Sequence, residues 1–192
     1  METRAAIFGR RSIRKYTDQL IEKEILQDII DGAMMAPSAV NNQPWYFVAV
    51  QSEEKMAKLK SIFVEICANV KPFLDKRFPN NPEVVAETLG FLKGLGDARV
   101  CVLVFLLKAD DGYNEMVAIQ STAAAIENLC LMAYDQGIGT CWMTAPLTTG
   151  FGPVLEKEFA PGKGRFVAAV TMGYPAVAPA APIRKSGRFE II

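Results

Sequence analysis

Apolar residues recur at three- and four-residue intervals through Ile21, Ile25, Leu26, Ile29, Ile30, Ala33 and Met34, and this period predicts an amphipathic helix over about 21–35. Pro37 ends it, because proline supplies no N–H and clashes with the preceding turn. A polar stretch then leads into Trp45 to Val50, which reads as a strand. Ser52, followed by Glu53 and Glu54, fits the start of a helix reaching about Cys67: the hydroxyl caps a free N–H and the carboxylates suit the positive helix end. Arg99 to Leu107 is almost wholly apolar, as expected of a central strand covered on both faces. A long helix over about 114–135 holds the run Ser121-Thr122-Ala123-Ala124-Ala125, whose small side chains permit close helix contact. Gly137 and Gly139 end it and introduce a strand from Thr140 to Ala145. A short helix begins near Pro153, and Arg165 to Met172 forms a further strand.

Two stretches read less regularly. Thr3 to Phe8 suggests a short helix stopped by Gly9, followed by a basic loop at Arg10-Arg11-Ser12-Ile13-Arg14. Residues 69–97 hold Pro72, Pro79, Pro82, Gly90, Gly94 and Gly96, which predicts one helix over 83–93 and otherwise mobile structure. Beyond Met172 the chain is rich in proline and alanine and has no packing partner of its own. An arm reaching across a homodimer is its natural use, and a disordered end is the alternative. Helices and strands interleave without βαβ regularity, and 192 residues suit a single domain over 1–192.

Composition narrows the chemistry. The sequence has no histidine, which excludes Ser-His-Asp and Cys-His nucleophile pairs and the HExxH zinc helix. Proton transfer then falls to carboxylates, lysine, tyrosine, cysteine or water, or the reaction falls to a cofactor. Cys67, Cys101, Cys130 and Cys141 lie among apolar neighbours without a CxxC motif, as expected of reduced, buried thiols in a cytoplasmic protein. The first sixteen residues lack the apolar segment of a signal peptide. The longest apolar run, Val100 to Leu107, is too short to cross a bilayer.

The 21 basic residues balance the 21 acidic ones, which argues against nucleic-acid or membrane-surface partners. The balance hides an asymmetry. Arg4, Arg10, Arg11, Arg14 and Lys15 stand against Glu2 at one end, and Arg184, Lys185 and Arg188 against Glu190 at the other. Two basic ends could converge on one anion, or remain solvated termini. Gly137-Ile138-Gly139 lacks the third glycine of a dinucleotide fingerprint, since position 142 is Trp142. Ser52-Glu53-Glu54-Lys55 matches SxxK but is better read as a helix start, with no KTG motif to accompany it.

Four segments in fixed order carry a larger signal: Arg10-Arg11-Ser12-Ile13-Arg14, Pro37-Ser38-Ala39-Val40-Asn41-Asn42-Gln43-Pro44-Trp45, Gly137-Ile138-Gly139-Thr140-Cys141-Trp142, and Gly173-Tyr174-Pro175 with the basic tail. Together they resemble the FMN-dependent nitroreductase family, over nearly the whole chain. The resemblance implies an α+β fold with a mainly antiparallel central sheet flanked by helices, its C-terminal arm exchanged in a homodimer with shared active sites. It implies FMN as cofactor, NADH or NADPH as hydride donor, and a nitroaromatic, quinone or related small electrophile as acceptor in a ping-pong cycle. Other flavin reactions of the superfamily, and a dimeric flavin binder without turnover, are the alternatives.

Residue by residue, the resemblance assigns Arg10 and Ser12, with Lys185 and Arg188, to the flavin phosphate, where charge-assisted hydrogen bonds suit a dianion. Arg184 could replace either arm residue. Arg11 matches a position that lines the cofactor through its backbone. Arg14 matches the position beside the pyrimidine edge of the flavin ring, where a cation favours negative charge at N1 and O2. Pro37, Ser38, Ala39 and Asn41, with Gln43 beside them, match the loop presented by the other subunit. Thr144 and Ala145 match the turn whose backbone N–H approaches N5, although many relatives have a glycine there. No metal site is implied.

Overall fold

The structure is a computed structural model that describes residues 2–107 and 114–192. Among these residues, four strands form one antiparallel sheet: β1 (Trp45–Val50), β2 (Val100–Leu107), β3 (Gly139–Met143) and β4 (Gly164–Gly173), in the order β1-β2-β4-β3. The helices are α1 (Thr3–Gly9), α2 (Lys23–Met34), α3 (Glu53–Arg77), α4 (Pro82–Gly94), α5 (Glu115–Asp135), α6 (Ala145–Thr148) and α7 (Gly152–Phe159). The α+β class and the antiparallel sheet expected from the sequence are both present.

Alternation along β2 explains the layering. Cys101, Leu103 and Phe105 face a core shared with α3, α4 and α7, while Val100, Val102, Val104 and Leu106 face α2 and α5. Both faces are dry, so β2 has no polar alternation to show. Phe105 and Phe166 meet edge-on with centroids 5.9 Å apart, the arrangement that ring quadrupoles favour.

The structure corrects the reading of residues 69–97. Helix α3 does not stop near Cys67 but runs 25 residues to Arg77, straight through Pro72. Val70 and Leu74 continue the buried stripe of Leu59, Ile62, Phe63 and Ile66. Burial of that face outweighs the hydrogen bond the exposed proline forfeits. Pro82 is the first residue of α4, where its missing N–H costs nothing. A tight turn over Leu95–Asp97 closes the segment, with Leu95, Gly96 and Asp97 all at positive φ. Ordered helix therefore occupies most of what the sequence predicted as mobile.

The arm from Pro175 onward is exposed throughout and extended. Its effect shows in the total surface of 11490 Å², above the roughly 9,000 Å² that scaling gives a compact chain of this mass.

Candidate active site

The basic loop after α1 lies along the free edge of β3. Ser12 pairs in parallel with Thr140, and the Ile13 N–H donates to the Thr140 carbonyl at 2.8 Å. Four residues after Ser12, Tyr16 pairs with Pro175 in the antiparallel sense. The Thr17 N–H donates to the Tyr174 carbonyl, and the Ala176 N–H to the Lys15 carbonyl. The loop and the root of the arm thus form one continuous ribbon beside the sheet.

Tyr16 is the bolt of this ribbon. Its hydroxyl donates to the Ile13 carbonyl at 2.6 Å and lies 2.8 Å from the Thr171 hydroxyl. Burial pushes its phenol far up, so it serves as a structural donor and not as an acid. The ring lies flat over Gly173, where a Cβ would come within 2.9 Å of it. Sequence reasoning missed Tyr16 because one tyrosine after a basic loop carries no period or motif.

The three arginines of the loop have different fates. Arg11 Nη1 donates to the carbonyls of Phe8 and Arg10 at 2.8 and 2.7 Å, satisfying the end of α1 with a cation where the helix dipole is negative. Its side chain is therefore committed locally. Arg10 Nε lies 3.3 Å from a Glu127 carboxylate oxygen but is not aligned for a hydrogen bond, and this buried N–H has no acceptor. Such a group costs about 1–3 kcal/mol if left unmade. Arg14 is exposed, over the Phe91 ring of α4.

Arg14 and Arg10 both pull the Cys141 thiol down against the larger upward push of burial. Their charges therefore converge at β3. Cys130, hydrogen-bonded to Thr140, is pushed up to about 11 by burial, as befits a structural thiol. A cavity of about 300 Å³ opens beside Arg10, lined by Arg11, Thr140, Tyr134 and, from the arm, Pro175 and Pro179.

The loop that includes Pro37, Ser38, Ala39 and Asn41 lies elsewhere. The Ser38 hydroxyl accepts from the Gln43 N–H at 3.0 Å, and Gln43 Nε2 donates to Asn41 Oδ1. Val40, Asn41 and Gln43 sit at φ of 49°, 54° and 45°, a region costly for a β-branched residue. These bonds fix an exposed, strained loop at the start of β1, opposite Leu106 on β2. Ser12 sits at the other end, level with Thr140, Met172 and Val100. Strand spacing and rise put the two loops roughly 28 Å apart, so one chain does not bring them together.

Thr144 and Ala145 follow β3 directly, Thr144 exposed and Ala145 partly covered. Lys185 and Arg188 lie in the exposed arm and make no hydrogen bond or ion pair among the described residues. The chain thus offers one cationic cluster on the β3 edge and two further sets of expected site residues that it does not gather itself.

The comparison with known proteins decides the family. The chain matches the Nitroreductase family over residues 7–174. It belongs to that family. A nitroreductase-family relative from Archaeoglobus fulgidus, provisionally named an NADH dehydrogenase/NAD(P)H nitroreductase, is 30% identical over 170 residues, covering 88% of this chain and 83% of that protein. A BluB-like flavoprotein from Clostridium difficile 630 superposes with a TM-score of 0.75 at 30% identity, covering 96% of this chain and 95% of its own. A provisionally named nitroreductase from Desulfovibrio desulfuricans, solved in complex with FMN, gives a TM-score of 0.74 at 25% identity, covering 100% and 98%.

Proposed function

We propose that the protein is an FMN-dependent NAD(P)H oxidoreductase of nitroreductase type, working as a homodimer with shared active sites. Its acceptor is a nitroaromatic, a quinone or a related small electrophile, and donor and acceptor occupy the pocket in turn. The observation that carries this reading is the family match over residues 7–174, together with the basic loop of Arg10, Ser12 and Arg14 laid along β3. A donor set of Arg10 and Ser12 fits a phosphate monoester, and Lys185 and Arg188 of the arm complete its neutralisation.

When bound, FMN supplies the ring that takes hydride from a reduced nicotinamide and gives it to the acceptor. The protein's part is to hold, orient and polarise. Arg14 sets a fixed positive charge at the pyrimidine edge, which stabilises negative charge developing there. The backbone at Thr144 and Ala145 borders the reacting face. The gap of roughly 28 Å between the two loops supports a site completed by the partner subunit's Pro37, Ser38, Ala39 and Asn41. Solvent provides the proton, since the buried Tyr16 and cysteines are held in their neutral forms.

Anaerobic mixing of the flavin-loaded protein with NADH or NADPH tests the reading. The yellow colour is expected to bleach and to return when an acceptor is added; flavin that binds but never bleaches would identify a binder instead. In Arg14→Ala the protein is expected to retain FMN while its bleaching rate falls about tenfold, the loss of about 1.4 kcal/mol of electrostatic stabilisation. An unchanged rate sinks the role given to Arg14.

A further inference from the structure

An exposed arginine has a long, mobile side chain, and its charge acts at one place only if something holds it. The Arg14 guanidinium carbon lies 5.9 Å from the centroid of the Phe91 ring, within cation–π range. Phe91 is itself buried against the core of α3, α4 and β2, so the ring cannot follow the arginine. The turn after α4 grips the backbone of the same residue. A Cβ at Gly96 would come within 2.4 Å of the Arg14 carbonyl oxygen, and the Gly96 carbonyl accepts the Tyr16 N–H at 3.0 Å.

We propose that Phe91 is a positioning residue, a rigid shelf that holds the Arg14 guanidinium in register with the flavin ring. This rests on the reading of Arg14 given above. The segment that supplies the shelf is the end of α4, remote in sequence from the basic loop.

The test is a double-mutant cycle read as the ratio of affinities for reduced and oxidised FMN, obtained from the midpoint potential and direct FMN titration, with thermal melting as a fold control. Phe91→Leu is expected to lower the preference for reduced FMN about two- to fivefold, and Phe91→Tyr to preserve it. In an Arg14→Ala background, Phe91→Leu is expected to change nothing further. A fluorinated phenylalanine at position 91, which keeps the shape but cancels the ring quadrupole, is expected to reproduce the loss even if Phe91→Leu folds poorly. An equal shift with and without Arg14 would assign Phe91 to packing alone and overturn the proposal. A shift in Arg14→Ala with none in Phe91→Leu or the fluorinated variant overturns it while leaving the role of Arg14 intact. No shift in Arg14→Ala overturns both.

Discussion

Tyr16 shows how much a single hydroxyl can organise. It bonds the Ile13 carbonyl and the Thr171 side chain in a buried setting, so Tyr16→Phe takes the side-chain donor from the Ile13 carbonyl and leaves the Thr171 hydroxyl only the Cys141 carbonyl at 3.5 Å. The variant is expected to lose about 1–2 kcal/mol, measurable as a lower denaturation midpoint, and to bind FMN more weakly because Arg10, Ser12 and Arg14 hang from the same ribbon. At this scale the sequence identifies the cluster but not the division of labour. Arg10, Arg11 and Arg14 are equivalent as letters; only the fold shows one tied to carbonyls, one left with an open N–H and one laid over a ring. The side chains that sort them, Tyr16, Glu127 and Phe91, are remote in sequence or lack any motif.

Elements with a strong local signal were legible: α2 from its stripe, β2 from its apolar run, and α5, whose end Gly137 and Gly139 mark. Helix α3 was not, because Pro72 is a strong local stop signal, whereas the burial of Val70 and Leu74 is settled by α4 and the sheet. That conflict is measurable. Pro72 is exposed and interior, so Pro72→Ala restores a helix N–H and is expected to raise stability by about 2–2.5 kcal/mol, the interior penalty less the entropy alanine returns to the unfolded chain. A lower melting temperature would mean that α3 needs a bend there. The segment once hardest to read is also the one that supports the basic loop, through Phe91 and Gly96.

For the whole molecule, the large surface of 11490 Å² and the separation of the two loops are the features that the proposed homodimer accounts for. Among the described residues, the arm's backbone hydrogen bonds to the rest of the chain lie at its root, through Tyr174 and Ala176. Deleting residues 180–192 is therefore expected to leave the melting behaviour of the isolated chain within about 0.5 kcal/mol, while light scattering reports a loss of dimer and titration a loss of FMN affinity. A large drop in the stability of the isolated chain would show that the arm packs at home. The arm also carries a hazard. Ile183, Phe189, Ile191 and Ile192 are almost fully exposed beside Arg184, Lys185 and Arg188, so a newly made chain presents apolar residues to aggregation and basic ones to trypsin-like proteases. If the proposed homodimer covers the arm, that exposure ends on pairing, and resistance to limited trypsin digestion is expected to rise with protein concentration.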